Sequence, residues 1–394
     1  MSAGFTSPHQ FEPVLLGPAG EALLPLAGQI LARSQALQGA AHESSRARLR
    51  ELLRAMNSYY SNRIEGQGTH PLNIERALHN DFSSKPDVAR LQRIAKAYLE
   101  AEQELEALLV SGTEPLTTSF AIVAHRAMYA RLSKTDRRTS EGVVIEPGAL
   151  RTHRVTVGRH EPPGPKHLTP FLKRYDQAYS APTRAEERLL AIACAHHRLA
   201  WVHPFDDGNG RAGRLVTHAA LFPMTNGLWS IARGLARRRD EYYERLAAAD
   251  APRGGDLDGR GNLSLQGLTR WCTFFLEMCL DQVTFMGGLL NLDGFKDRVR
   301  ALVLFLGQTE GKLKSEVALA LHHLFAAGPV TRGEFKQLTG LGDRVAQTQL
   351  ALLLKKGLLE SSSALGPVRI GFPLSSLQFL FPDLYPEAAT RLDE

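Results

Sequence analysis

The 394-residue sequence predicts a mainly α-helical fold with one short β-hairpin and, towards the C-terminus, a helix–turn–helix unit carrying a β wing. Three observations predict this. Apolar residues recur at spacings of three and four along most of the chain. A single stretch, 139–158, alternates instead, with Arg154, Val155, Thr156 and Val157 at its centre. Between 311 and 376, helix stops and starts follow in close order: Gly328-Pro329, then Thr331 to Glu334 as a capping box. Hydrophobic residues make up 43% and charged residues 22%, the balance of a soluble globular protein. The net charge of +6 and pI near 9.3 permit contact with nucleotides or nucleic acid without demanding it.

Taken in order, residues 1–20 are punctuated by Pro and Gly and read as irregular. From Glu21 to about Asn62 the pattern is helical, with stripes at Leu24, Leu26, Ile30, Leu31 and at Leu49, Leu52, Leu53, Met56; Gly66 and Gly68 stop it. Residues 69–132 carry Val88, Leu91, Ile94, Tyr98, Leu99 on one stripe and Phe120, Val123, Met128, Leu132 on another. His125 lies near the second and reads as a packing histidine. Pro147 to Gly158 reads as a turn leading into an exposed hairpin. Residues 167–222 are core helices, and Tyr242 to Asp250 is a further helix. The turn-rich stretch 252–266 lacks the twelfth-position Glu of a calcium loop, since Gly267 stands there. Residues 268–306 give two apolar helices that pack on the preceding part or form a homodimer. The expected divisions are 1–110, a helical N-terminal region; 111–306, a catalytic region; 311–376, a winged unit; and 377–394, a tail.

The chemistry concentrates in His203-Pro204-Phe205-Asp206-Asp207-Gly208-Asn209-Gly210-Arg211-Ala212-Gly213-Arg214. Asp-Gly and Asn-Gly are hairpin signals, but the flanks are helical: Leu189, Ile192, His196 and Leu199 before, Leu215, Ala219 and Phe222 after. The loop therefore opens a helix. Glycines admit a ligand close to the backbone, and a helix start offers free N–H groups and a positive dipole end. Arg211 and Arg214 share a helix face. Together these parts suit a polyphosphate. Asp207 suits a hard cation such as Mg²⁺, and His203 suits removal of a proton from a hydroxyl.

The loop resembles the signature of the Fic family, H-P-F-x-[D/E]-G-N-G-R-x-x-R, with every specified position met. Members mostly transfer AMP from ATP to a hydroxyl side chain of a protein. The resemblance implies His203 as base, Asp207 as the Mg²⁺ ligand, Phe205, Gly208, Asn209, Gly210 and Arg211 at the nucleotide, and Arg214 at the γ-phosphate. The phosphorylating Doc branch carries Lys where Gly210 stands, so Gly210 points to nucleotidyl transfer. Ser61-Asn62-Arg63-Ile64-Glu65-Gly66 would be an ordinary helix end taken alone. Beside the signature it resembles the family's inhibitory motif, [S/T]-x-x-x-E-[G/N]. That implies Glu65 paired with Arg214, bidentate if geometry allows, with Ser61 fixing the Glu65 side chain. The alternating stretch resembles the family's flap, which takes a target's backbone as an added strand, with Val155 and Val157 in it. Tyr243 reads equally as a wall for an adenine ring and as a packing tyrosine. Asp250 stands where the family often has Asn.

The leading expectation is a protein adenylyltransferase modifying a Tyr, Thr or Ser hydroxyl on another protein or on itself. Two others stand beside it: removal of AMP at the same site, and a DNA-binding regulator that senses nucleotide. In the second, residues 331–370 would carry the contact, with Arg344, Gln347, Thr348 and Gln349 as readers; a protein partner fits that unit equally. Cys194, Cys272 and Cys279 form no CxxC pair and read as buried thiols of a reducing, cytoplasmic protein. No signal peptide and no membrane span are expected.

Overall fold

A computed structural model describes residues 5–139, 142–179, 184–311 and 313–385. Two 3-10 turns, Pro8–Phe11 and Gly17–Leu23, lead into α1, Leu24–Gln38, and α2, Glu43–Ile64. Then come α3, Pro71–Leu78; α4, Pro86–Val110; and α5, Thr118–Tyr129. After a long connection follow α6, Leu168–Tyr179; α7, Ala185–Val202; α8, Asn209–Thr225; α9, Ala232–Arg237; and α10, Arg239–Ala249. Helices α11, Leu265–Leu290, and α12, Leu292–Glu310, precede a compact group. That group is α13, Val317–Ala327; α14, Arg332–Thr339; α15, Asp343–Lys355; β1, Leu359–Glu360; β2, Arg369–Ile370; and α16, Leu377–Leu380. The only ladder among the described residues is antiparallel, Leu359 opposite Ile370 and Glu360 opposite Arg369.

Local signals place many of the ends. Pro71 and Pro86 sit in the first turns of α3 and α4, where a missing N–H costs nothing. Thr117, Ser264 and Asn291 cap α5, α11 and α12 through side-chain oxygens. The Thr331–Glu334 capping box forms as expected. The helical run expected from Glu21 to Asn62 is broken between Gln38 and Glu43.

Helix α7 is the centre. It is buried nearly all round over its C-terminal two thirds, and α6, α8, α1 and α11 pack on it. Trp271 of α11 is fully buried and donates its indole N–H to the Ala193 carbonyl at 2.7 Å. The N-terminal stretch, expected to be irregular, is a strap over this core: Tyr179 donates to Val14 O at 2.6 Å and Arg198 to Pro13 O at 2.7 Å. All three cysteines are free and buried. No helix among the described residues is long and apolar enough to cross a membrane.

Helix α2 packs on α4 and α9 and also meets α8 and α13. Its middle is tied to α4 and α8 by buried polar contacts: Asn57 to Glu102 at 2.8 Å, Arg54 to Glu106 at 2.9 Å, and His218 to Glu106 at 3.0 Å. Its N-terminal half meets the group after α12. His42 N–H donates to Phe325 O at 3.2 Å, Ser45 to Leu324 O at 3.3 Å, and Arg48 pairs with Glu360. The unit 311–376 thus contacts α2 through these bonds. The stretch expected as a tail is described to residue 385 and also returns to α2. Tyr60 donates to Leu384 O at 3.0 Å, and Tyr385 donates to Leu52 O at 3.2 Å.

Two expectations are corrected. The stretch 147–158 forms no ladder; Val157 and His160 make one isolated antiparallel bridge about a turn at Gly158, φ +61°. Val157 and His160 exchange both backbone hydrogen bonds at 2.9 Å, so the hairpin is reduced to this one pair, and Val155 has no ladder partner among the described residues. Gln349 does not face outward on α15; it is buried and accepts from Lys314 N–H at 2.8 Å, whereas Arg344, Gln347 and Thr348 are exposed.

Candidate active site

Helix α7 ends at Val202 and is capped by His203, which adopts φ 50°, ψ 63°, the left-handed region that reverses the chain. The turn carries the loop across to Gly208, φ +80°, which precedes α8. A Cβ at Gly208 would collide with the Tyr129 hydroxyl, so only glycine fits there. Inside the loop Phe205 N–H donates to Asn209 Oδ1 at 2.9 Å, and Asn209 Nδ2 returns a bond to Phe205 O at 2.8 Å. The Phe205 ring stacks on His125, with centroids 4.0 Å apart and planes at 13°. Phe205 and the Asn209 side chain therefore brace the loop, at positions where the resemblance implies nucleotide contacts.

The first turn of α8 is open. The first bond back along it runs from Ala212 N–H to Gly208 O, at 2.9 Å, so the amides of Asn209, Gly210 and Arg211 have no intrahelical acceptor. Arg211 is buried between Gln67 Oε1 at 2.7 Å and the Tyr129 hydroxyl at 2.9 Å, and its Nε–H has no partner among the described residues. A buried, unmet guanidinium N–H beside open amides is what an anion's oxygens satisfy.

His203 is poised as a neutral base. Burial in the main, with lesser help from Arg151, lowers its pKa to about 4. Its Nδ1–H points to the Ala200 carbonyl at 3.4 Å, leaving Nε2 as the acceptor. Asp207 accepts from Gly208 N–H at 2.5 Å and lines a cavity of about 320 Å³ with Arg211, Gln67 and Tyr129. One carboxylate facing a cleft with room for waters and a phosphate oxygen fits the way Mg²⁺ is held.

Arg214 is committed to α2. Its Nη2 lies 2.5 Å from Glu65 Oε1, its Nε donates to Ser61 Oγ at 2.8 Å, and Nη2 also reaches Ser61 O at 3.1 Å. The pairing with Glu65 is as expected, but the fork is split and not bidentate. Ser61 holds Arg214; it does not hold Glu65. A Cβ on Gly210 would collide with Glu65 Oε1, so the carboxylate lies directly on the first turn of α8. Burial opposes the charge on Glu65, but Arg214, Arg211 and Arg239 more than offset it and hold the carboxyl below its ordinary range. The motif's last residue, Gly66, follows the helix end in the left-handed region at φ +71°.

Tyr243 is partly exposed and donates to Ile64 O at 3.3 Å, while Arg239 donates to the same carbonyl at 2.8 Å. Tyr243 thus touches the end of α2. Asp250 turns one carboxylate oxygen to the buried His197, 3.1 Å away. Val155 is half-buried and Val157 exposed. Sequence reasoning missed Gln67, Tyr129, Arg151 and Arg239. His125 was read as packing, and it packs, but on the site: it accepts from Gly148 N–H at 2.9 Å and donates to Asp207 O at 3.1 Å. Only the position of Tyr129, one turn after His125 on the same stripe, was a usable signal.

Residues 115–221 match the Fic/DOC family model. The matched span holds His125, the flap stretch, the loop and both arginines, but neither Ser61 and Glu65 nor Tyr243 and Asp250. Protein adenylyltransferase Fic of Nematostella vectensis is 29% identical over 194 residues, 49% of this chain and 42% of that relative. The protein of the same name from Drosophila willistoni is 40% identical over 107 residues, 27% of this chain and 21% of that relative. The chain thus spans less than half the length of these curated relatives. Among solved structures, Fic-1 from C. elegans (residues 134–508) superposes with a TM-score of 0.52 at 19% identity, covering 69% of this chain and 74% of that one. A Fic domain containing signaling protein from Bacteroides thetaiotaomicron gives 0.50 at 16% identity, covering 67% and 96%. The helical fold around the Fic-like segment is shared with these proteins.

Proposed function

We infer that the chain transfers AMP from ATP to a Tyr, Thr or Ser hydroxyl of a protein, itself included, and that Glu65 holds this activity in check. The observation that carries the reading is the meeting of His203, Asp207, Arg211 and Arg214 around one open helix start. The names of the relatives, protein adenylyltransferase Fic, support it.

In this reading the open amides of α8 and the unmet Arg211 Nε–H take the phosphates. Asp207 would hold Mg²⁺, which supplies charge neutralisation of the polyphosphate when bound. His203 Nε2 takes the proton as the hydroxyl oxygen forms its bond to the α-phosphorus. The bond from that phosphorus to the bridging oxygen breaks, and pyrophosphate leaves with the electron pair. The chain's work is alignment and charge placement. Arg214 is the missing partner: while Glu65 and Ser61 occupy it, the γ-phosphate lacks its cation. The test is auto-modification with α-labelled ATP and Mg²⁺, wild type beside Glu65→Gly. Label on the variant and little on wild type supports both parts; no label on either overturns the transfer reading.

A further inference from the structure

The connection between α5 and α6 is fastened to the catalytic loop by one side chain. Arg151 is 2% exposed, and every contact its guanidinium makes among the described residues is with a carbonyl oxygen. Nε donates to His203 O at 2.7 Å. Nη1 donates to His153 O at 3.0 Å, on the outgoing arm of the flap stretch. Nη2 donates to Pro163 O on its return arm and, at 3.4 Å, to Val202 O. The Arg151 backbone N–H completes the set by donating to Pro204 O at 2.9 Å.

The physical logic is specific to this place. Helix α7 ends at Val202 and leaves carbonyls that no helix amide can meet, at the negative end of its dipole. A guanidinium presents several N–H groups in a rigid fork, which an ammonium cannot do. Here the fork joins three segments at once: both arms of the flap stretch and the turn that sets His203 in its left-handed conformation. Nearby, His160 adds a second tie at 2.7 Å to Trp201 O.

We propose that Arg151 is a positioning residue: it fixes the spacing between the flap stretch and the His203 backbone, so that a hydroxyl carried by a strand laid on the flap arrives at His203 Nε2. This rests on the AMP-transfer reading above. Misplacement by about 1 Å costs on the order of 100-fold in rate, and that is the loss expected when the fork is removed.

The test uses the full chain in a Glu65→Gly background, with Arg151→Met and Arg151→Lys. The auto-modification rate at saturating Mg-ATP, the ATP concentration for half-maximal rate, and hydrogen exchange by peptide are measured. The expected result is a rate lower by about 100-fold for Arg151→Met, an unchanged half-maximal ATP concentration, and faster exchange confined to residues 145–163 and 199–205. An unchanged rate overturns the proposal. So does a rate loss accompanied by weaker ATP dependence or by faster exchange through α1 and α11, which would mark a general stabilising role. If Arg151→Met does not fold, Arg151→Lys, which keeps the cation without the fork, is held to the same outcomes. If the Glu65→Gly parent takes no label, the transfer reading fails, and exchange still decides whether Arg151 fastens the flap to the loop.

Discussion

Glu65 and Arg214 meet at 2.5 Å across the first turn of α8, on the spot that only a glycine at position 210 leaves open. The contact joins Glu65, the residue that caps the end of α2, to the start of α8. In the proposed reading it occupies the cation that a polyphosphate needs, and it does so with a carboxylate, the side-chain group most like a phosphate oxygen.

Removing that carboxylate should raise AMP incorporation. A hydrogen bond to a charged group contributes roughly 1.5–3 kcal/mol, so freeing Arg214 in Glu65→Gly is expected to raise the rate about tenfold or more. The measurement is label from α-labelled ATP at saturating Mg-ATP. Equal incorporation in wild type and variant would refute inhibition by Glu65.

The same change should cost stability. Arg214 is 4% exposed, and losing its counter-charge leaves a buried cation unpaired, a loss of about 3–5 kcal/mol. Glu65→Gly should melt lower than wild type, and Mg-ATP should raise its melting temperature more than it raises that of wild type. A variant that melts with wild type and ignores ATP counts against the pairing.

Ser61→Ala tests the split fork. The hydroxyl accepts from Arg214 Nε, so its loss frees part of Arg214 and leaves a buried donor unmet. A smaller activation than in Glu65→Gly is expected, about three- to tenfold, the equivalent of an ordinary hydrogen bond of roughly 0.5–1.5 kcal/mol, because Glu65 still holds the guanidinium. The two changes should not add, because they release one side chain. Full additivity would place Ser61 outside the lock.

His203→Ala should abolish transfer, a loss of 10²–10⁴-fold typical of a missing base, roughly, while ATP still binds. The pH dependence has a definite sign. Because the His203 pKa is lowered to about 4 from 6.5, the base form persists through pH 5 to 6, where an ordinary imidazole would be charged. Transfer in Glu65→Gly should therefore fall only as pH drops towards about 4. Between those two values the unfolded chain binds the proton and the folded chain does not, so this group makes stability rise with pH across the window and adds nothing further above it. A limb near 6.5 would mean that His203 is solvated as it works.

Deleting residues 377–394 should not be neutral. Leu384 and Tyr385 bond to Tyr60 and Leu52 of α2, and both are buried. The truncated chain should melt several degrees lower, and its basal labelling should rise because α2 carries Ser61 and Glu65. A truncation with unchanged melting and unchanged labelling would show that these contacts do not support α2.

The helices were legible because their signals are local. Apolar spacing, Pro71 and Pro86 at helix starts, and the Thr331–Glu334 capping box all act within a few residues. The loop was legible because the chemistry of phosphate binding needs glycines and a helix start in unbroken order. Other features turn on partners that local sequence does not announce. The alternation of Val155 and Val157 foretold a hairpin, and it closes only as the single bridge from Val157 to His160, because the chain beyond His160 does not run back beside Val155 as a strand. Asp250 turns to His197 on α7. Asn209 spends its side chain on Phe205 because the loop must brace itself before it can hold anything else.

By itself the sequence determined that His203, Asp207, Arg211 and Arg214 share one short turn and helix start, since a few covalent links allow little else. What only the tertiary structure decided is the state of that site. Arg214 is held by Ser61 and Glu65 from a helix about 150 positions earlier. Arg211 is held by Gln67 and Tyr129, and the His203 turn by Arg151. The reason is physical: a guanidinium is satisfied by any acceptor that packing brings within about 3 Å, and packing across the core does not follow sequence spacing.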